Sequence, residues 1–323
     1  MALLTILDSD WPSAYAQYCN HVWHDGTFLY VGTGGRGTFV YSVAGNGVLT
    51  KKSNFDDYSP VRTPAGYWGD GTYLYVATDD GFRSYSISAL GVATFISSHS
   101  PADDPRDVWG DDTYLYTVNA NSGINKYSTS SGILTHVAQY APEGNSESHI
   151  GIFGYGDYLY CAGSYWNDTW ALRTYSKALA IVSSVMPTAD GAGRGVWGDA
   201  NYVYVKVQSS VEGHELYCYS VSVAGSLSKI SSVTVTGGSG IWGQDGYVYL
   251  ADAAGGLKIY STISGNLVLV ETYLAGTTIY GVFGDTDFIY VAAADAVYVY
   301  SAPVVTTKPR INYFNRIQPF ILN

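Results

Sequence analysis

The side chains able to do chemistry are few and scattered. Of the six histidines, His21, His24, His99, His136, His149 and His214, only the first two sit close together. They flank Trp23, where the two rings would not easily share a ligand sphere, and no HExxH helix motif occurs. Cys19, Cys161 and Cys218 are odd in number and irregular in spacing, which argues against a disulfide framework. Two of them fall in strand-like runs, YLYC and LYCYS, and read as buried free thiols. Ser239 lies in GGSGI, which fails the nucleophile elbow because position 241 is Ile. Gly32–Gly37 matches GxGxxG but leads into a second strand, whereas a pyrophosphate site needs a helix N-terminus there, so it reads as a turn. Asp56-Asp57, Asp79-Asp80, Asp103-Asp104 and Asp111-Asp112 lack the spaced calcium-loop pattern and suit turns equally well. From the residues alone, no catalytic residue, metal site or cofactor is expected.

The elements that would position these groups repeat. An aromatic residue recurs at Trp23, Trp68, Trp109, Phe153, Trp197, Trp242 and Phe283. Seven residues after each comes Tyr30, Tyr75, Tyr116, Tyr160, Tyr204, Tyr249 or Tyr290. A Tyr-Ser pair follows in every copy, with its tyrosine at 41, 85, 127, 175, 219, 260 or 300. The anchors are spaced by 45, 41, 44, 44, 45 and 41 residues, a period at which each unit must stack on its neighbours to bury its faces. The second copy divides into strands at 66–69, 73–78, 82–87 and 93–98, the first three separated by Asp-Gly turn chemistry and the fourth reached by a looser link. Four antiparallel strands in that length make a propeller blade. The anchor and its tyrosine share a hairpin and are predicted to pair across it as core, each pair contributing about 0.2–1 kcal/mol.

The fold class expected is therefore all-β, a seven-bladed β-propeller of four-stranded antiparallel blades. The seventh copy lacks a fourth strand, so the N-terminal strand, 2–8, is predicted to close the last blade and remove its exposed edge. The propeller would occupy residues 1–301, with a tail over 302–323. GSGIWGQDGYVYLADAAGGLKIYSTISGNLVLVETYLAG is similar to the LVIVD-type propeller repeat, and DGTFLYVGTGGRGTFVYSVAGNGVLTKKSNF resembles repeats of the seven-bladed lactonase family. The resemblance covers residues 1–301 and implies fold; its Tyr before Ser departs from the Asp of LVIVD repeats, and no lactonase residue transfers.

The net charge of −11 makes nucleic acid an unexpected partner. No apolar run is long enough for a membrane span. The opening MALLTILDSDW has no basic region before Asp8 and Asp10, so no classical signal peptide is expected.

Function is expected where the repeat breaks. In copy four Tyr175 comes 15 positions after Tyr160, a longer gap than in most copies. The added stretch places Trp166, Asn167, Asp168 and Trp170 in what reads as a loop for glycan or protein contact. Loops between strands two and three share a face with the links between blades, which carry Arg62, Asp103, Arg106, Asp107, Glu143, Glu147, His149, Asp190 and Arg194. That rim is a candidate ligand site. The tail holds Lys308, Arg310 and Arg316 with no acid, leaving the rest of the chain at −14. With Tyr313, Phe314 and Phe320 it is rich in aromatic residues, and it reads as a docking segment for a protein partner or a second copy. The expected function is a non-enzymatic interaction propeller, such as a virion decoration or attachment protein, or another protein of an extracellular surface. A lactonase-type hydrolase with an axial site and a lectin are the alternatives.

Overall fold

The structure is a computed structural model. It describes residues 3–12, 18–55, 63–99, 104–111, 113–120, 122–142, 147–165, 169–186, 191–209 and 213–303. It contains seven four-stranded antiparallel sheets arranged as the blades of a propeller. The innermost strands are Cys19–His24, Pro64–Gly69, Pro105–Gly110, Glu147–Tyr155, Ala192–Gly198, Ile241–Gln244 and Ile279–Gly284. A single 3-10 turn at Ile263–Gly265 interrupts the β structure of the described residues. None of their helices is long and apolar enough to cross a membrane.

The ring closes as the sequence predicts, with a shift in bounds. The closing strand is Ile6–Asp10 rather than 2–8, and it pairs antiparallel with Val297–Ser301, Ile6 opposite Tyr300 and Asp10 opposite Val297. The last blade thus takes its outermost strand from the other end of the chain.

Each anchor lies directly opposite its tyrosine, from Trp23–Tyr30 in the first blade to Phe283–Tyr290 in the last. All seven of these tyrosines, and the tyrosines of all seven Tyr-Ser pairs, are buried. The anchors also touch between blades: Trp68–Trp109, Phe153–Trp197, Trp197–Trp242 and Trp242–Phe283 ring centroids are 5.7, 5.9, 6.1 and 4.4 Å apart. Such aromatic pairs contribute beyond their burial, so the repeated phrase is the mortar between blades.

The aspartate of the first turn serves the same end. Asp25 Oδ1 accepts the backbone N–H groups of Thr27 and Phe28, while its Oδ2 accepts the Tyr30 hydroxyl at 2.7 Å. Asp70 and Asp285 repeat the arrangement with Tyr75 and Tyr290. Every blade has an aspartate in this turn: Asp25, Asp70, Asp111, Asp157, Asp199, Asp245 and Asp285. Antiparallel topology places these first turns, and the turns between strands three and four, on one face of the ring, here the turn face. The opposite, link face carries the connections between blades.

Candidate functional site at the axial mouth

The innermost strands carry a β-bulge at a constant place, three residues before the anchor. The extra residue is Asn20, Ala65, Arg106, Ile150, Arg194 or Tyr280 in six blades. Ser239 occupies the matching place in the sixth blade, three residues before Trp242. A bulge re-aims a side chain out of the alternation of its strand. Here it gathers one residue from each blade near the axis on the link face.

Glycine follows this place in five blades, and it is needed for close approach. A Cβ on Gly151 would lie 3.3 Å from the Arg194 carbonyl oxygen and from the Gly195 Cα of the next blade. One on Gly66 would lie 2.6 Å from Asp107 Oδ1. Adjacent inner strands therefore pack closely where the bulged residues stand.

Two of them are arginines, on blades three and five. The Arg106 side chain is 46% exposed and paired with Asp104. Arg194 is half-buried, its Nε–H is buried without an acceptor, and it has no ion pair among the described residues. Loss of solvent, then the positive charge of Arg106, draws its pKa below the ordinary guanidinium value. The two groups thus feel each other past the inner strand of blade four, with Ile150 between them in the ring.

Behind Arg194, at the seam of blades five and six, Lys206 is fully buried. Its Nζ donates to the Val207 carbonyl at 2.9 Å. Burial brings its pKa down to about 8, opposed by Asp252 and assisted by Arg194. Asp252 is itself buried, accepts the N–H groups of Thr236 and Gly237, and pairs with Lys258 at 2.5 Å. His214 Nδ1, in the same electrostatic neighbourhood, is buried without a partner.

At the seam of blades three and four the predicted rim residues turn inward. The Glu147 carboxylate receives Arg173 Nη1 at 2.5 Å, both side chains being 7% exposed, and Arg173 also donates to the Tyr140 hydroxyl at 3.1 Å. His149 is buried and its Nε2 lies 3.0 Å from the Tyr175 hydroxyl. Burial, then the charge of Arg173, pushes His149 down to about 3, so the ring is neutral at physiological pH. Asp107 accepts the N–H of Ile152 from the next blade at 3.0 Å, and burial raises its carboxyl to about 7. These groups join blades.

Two predicted contact residues are therefore corrected. His149 does not face the rim, because it takes the place just before the bulge, which is buried in the sister blades as well, at Cys19, Pro64, Pro105, Gly193 and Ile279. Trp170 is 1% exposed and packs on Tyr217 of the next blade, ring centroids 5.1 Å apart. The extra residues of copy four lengthen the hairpin strands to Tyr158–Tyr165 and Thr169–Ser176, with Trp170 opposite Ser164, so Trp170 belongs to a strand. Trp166, Asn167 and Asp168 lie outside the described residues, as do Arg62, Asp103, Glu143 and Asp190. So do the tail residues Lys308, Arg310, Tyr313, Phe314, Arg316 and Phe320.

Sequence reasoning missed Lys206 and Arg173. The signal for Lys206 was present: its place in the second strand is held by Gly32, Ala77, Val118, Ala162, Ala251 and Ala292 in the other copies. A lysine there must point between blades.

The remaining reactive groups are enclosed. The three cysteines are free and buried, and burial raises all three thiols, Cys19 and Cys218 to about 12. Among the described residues no cluster of His, Cys, Asp or Glu could hold a metal ion. The GxGxxG stretch is the turn between Phe28–Thr33 and Gly37–Val43, and Gly34 N–H donates to the Tyr18 carbonyl at 3.0 Å. A cleft of about 170 Å³ lies between the first two blades on the turn face, lined by Trp23, Phe28, Tyr73 and Ile87 among others. Ligand pockets generally enclose about 300–1,000 Å³.

No protein-family model and no curated protein matches the chain. Among solved structures it is similar to the computationally designed Ika8 protein, with a TM-score of 0.59 and 8% identity over 92% of this chain and 99% of that one. At that identity the likeness shows the fold alone.

Proposed function

We propose that the protein is a non-enzymatic interaction propeller that assembles with a protein partner or a second copy through its basic, aromatic tail. One observation carries the reading. Every blade carries an aspartate in its first turn on the turn face, and the described chain ends on that face, with Ala302 N–H donating to the Asp287 carbonyl at 2.7 Å. The residues that follow contain Lys308, Arg310 and Arg316 and no acid. A sevenfold ring of carboxylates and a cationic, aromatic segment are complementary in charge, which favours encounter and register. Leu90, Val223 and Ile263, at 77, 100 and 78% exposure, project from turns on the same face and offer apolar contact. Display on a virion or other extracellular surface is the setting we assign to such a docking propeller, by analogy of architecture.

The reading is supported further by where the reactive groups go: His149, Asp107, Glu147 and Arg173 are engaged between blades. The LVIVD and lactonase likenesses contribute architecture to it and no reaction. The test is light scattering of the full chain against the chain carrying Lys308→Glu, Arg310→Glu and Arg316→Glu, at low and high salt. Association that is lost in the variant and weakened by salt is expected. Association indifferent to both, or a monomer throughout with no captured partner, would overturn it.

A further inference from the structure

We propose that the axial mouth on the link face binds a short dicarboxylate motif, its two carboxylates held by Arg106 and Arg194 across Ile150. This site is separate from the turn face and does not rest on the docking role of the tail.

The bulges put Arg106 and Arg194 on inner strands that flank a third, and that third strand contributes Ile150 at the same level. Two cationic forks separated by an apolar side chain match two carboxylates separated by a short carbon spacer. A guanidinium presents paired N–H donors that fit a carboxylate bidentately. Arg106 already shows the contact by pairing with Asp104 and keeps nearly half its side chain open. Arg194 is the group with unmet demand, since its buried Nε–H has no acceptor.

The surroundings add positive potential. Lys206 is buried in the same electrostatic neighbourhood as Arg194, and Asp252, the carboxylate that acts on it, is already paired with Lys258. This is unusual in a chain with 27 acidic and 16 basic residues. Two like charges held close in a partly desolvated mouth repel, and an oxyanion between them relieves that repulsion.

The dicarboxylate could be a free molecule or a pair of acidic side chains on a polypeptide. Titration calorimetry on the full chain separates them, with succinate and glutarate as free probes and acetyl-Glu-Glu-amide as the peptide probe. Sulfate serves as a control for charge alone. Saturable binding of at least one dicarboxylate is expected, weakened about tenfold or more by Arg194→Ala and by Arg106→Ala. Arg194→Lys keeps the charge and loses the fork, so it should weaken binding while leaving the fold intact by circular dichroism. Tighter binding of the peptide points to a protein source, and of succinate or glutarate to a free one. Sulfate binding as well as the dicarboxylates, no saturable binding at millimolar ligand, or full binding by Arg194→Lys would each overturn the proposal. Tail-dependent association in the same samples reads the docking role separately.

Discussion

Substituting Gly154 by alanine tests the interblade mortar at one contact. Gly154 follows the anchor of blade four, and a Cβ there would come within 2.5 Å of three atoms of the Trp109 six-membered ring from blade three. That ring cannot retreat freely, because Trp109 packs on Trp68, ring centroids 5.7 Å apart, and pairs with Tyr116. Overpacking of this kind costs about 1–3 kcal/mol. Replacing a glycine also removes freedom from the unfolded chain, which returns about 0.4–1 kcal/mol. The clash is the larger effect, so Gly154→Ala should destabilise by about 1–2 kcal/mol. Trp109→Phe deletes the far ring atoms that a new methyl would meet. In that background Gly154→Ala should be neutral or slightly stabilising, giving a coupling of about 1–3 kcal/mol between the two positions. The chain contains its own version of the pair. The last blade has the shorter Phe283 as anchor, and the first has His24 where the glycine would stand, with Nδ1 3.0 Å from Asp285 Oδ2. Urea unfolding of the four proteins measures the cycle. An equal penalty for Gly154→Ala in both backgrounds, or none in either, would refute the packing argument.

Other perturbations follow from the same geometry. Trp170→Ala should cost about 3–5 kcal/mol of stability, because the ring is core between blades four and five; unchanged urea midpoints would restore a surface role. Glu147→Gln leaves the Arg173 guanidinium buried beside a neutral amide and should destabilise by up to about 3–5 kcal/mol; a chemical melt matching the parent would contradict the ion pair. Asp107 has its carboxyl raised to about 7 by burial, against about 3.9 when unfolded, so the folded state holds the proton more tightly. Its contribution is present below pH 4 and is lost as pH rises through 7. Asp107→Asn should therefore gain stability relative to the parent between pH 4 and pH 8, and parallel pH profiles for the two would count against the shift.

The pairing of anchor with tyrosine was legible because a two-residue turn leaves one register, and seven copies show the same spacing. Closure by the N-terminal strand was legible from a missing fourth strand, though its bounds moved to Ile6–Asp10. The direction of single side chains was not. Trp170 sits in a hairpin whose second strand, Tyr158–Tyr165, runs longer than in sister blades, and residues added to a hairpin can extend strands or make a loop. Sequence alone favours neither. The bulge at Arg106 and Arg194 is likewise invisible in composition, since it shifts one residue against its partner strand without a distinctive residue type. Lys206 was open to detection by comparing equivalent positions among copies, because a charge replaced a small residue.

Zero-length carbodiimide cross-linking tests the assembly claim most directly, since Lys308 is the lysine of the tail. Lys177 and Asp111, 2.7 Å apart, supply an internal positive control. Links from Lys308 to turn-face carboxylates such as Asp70, Asp157 or Asp287 are predicted, and mixing isotope-labelled with unlabelled chains shows whether they join two molecules. Labelling at the control pair with Lys308 unlinked, or linked only to acids of the link face such as Asp104, would contradict the account.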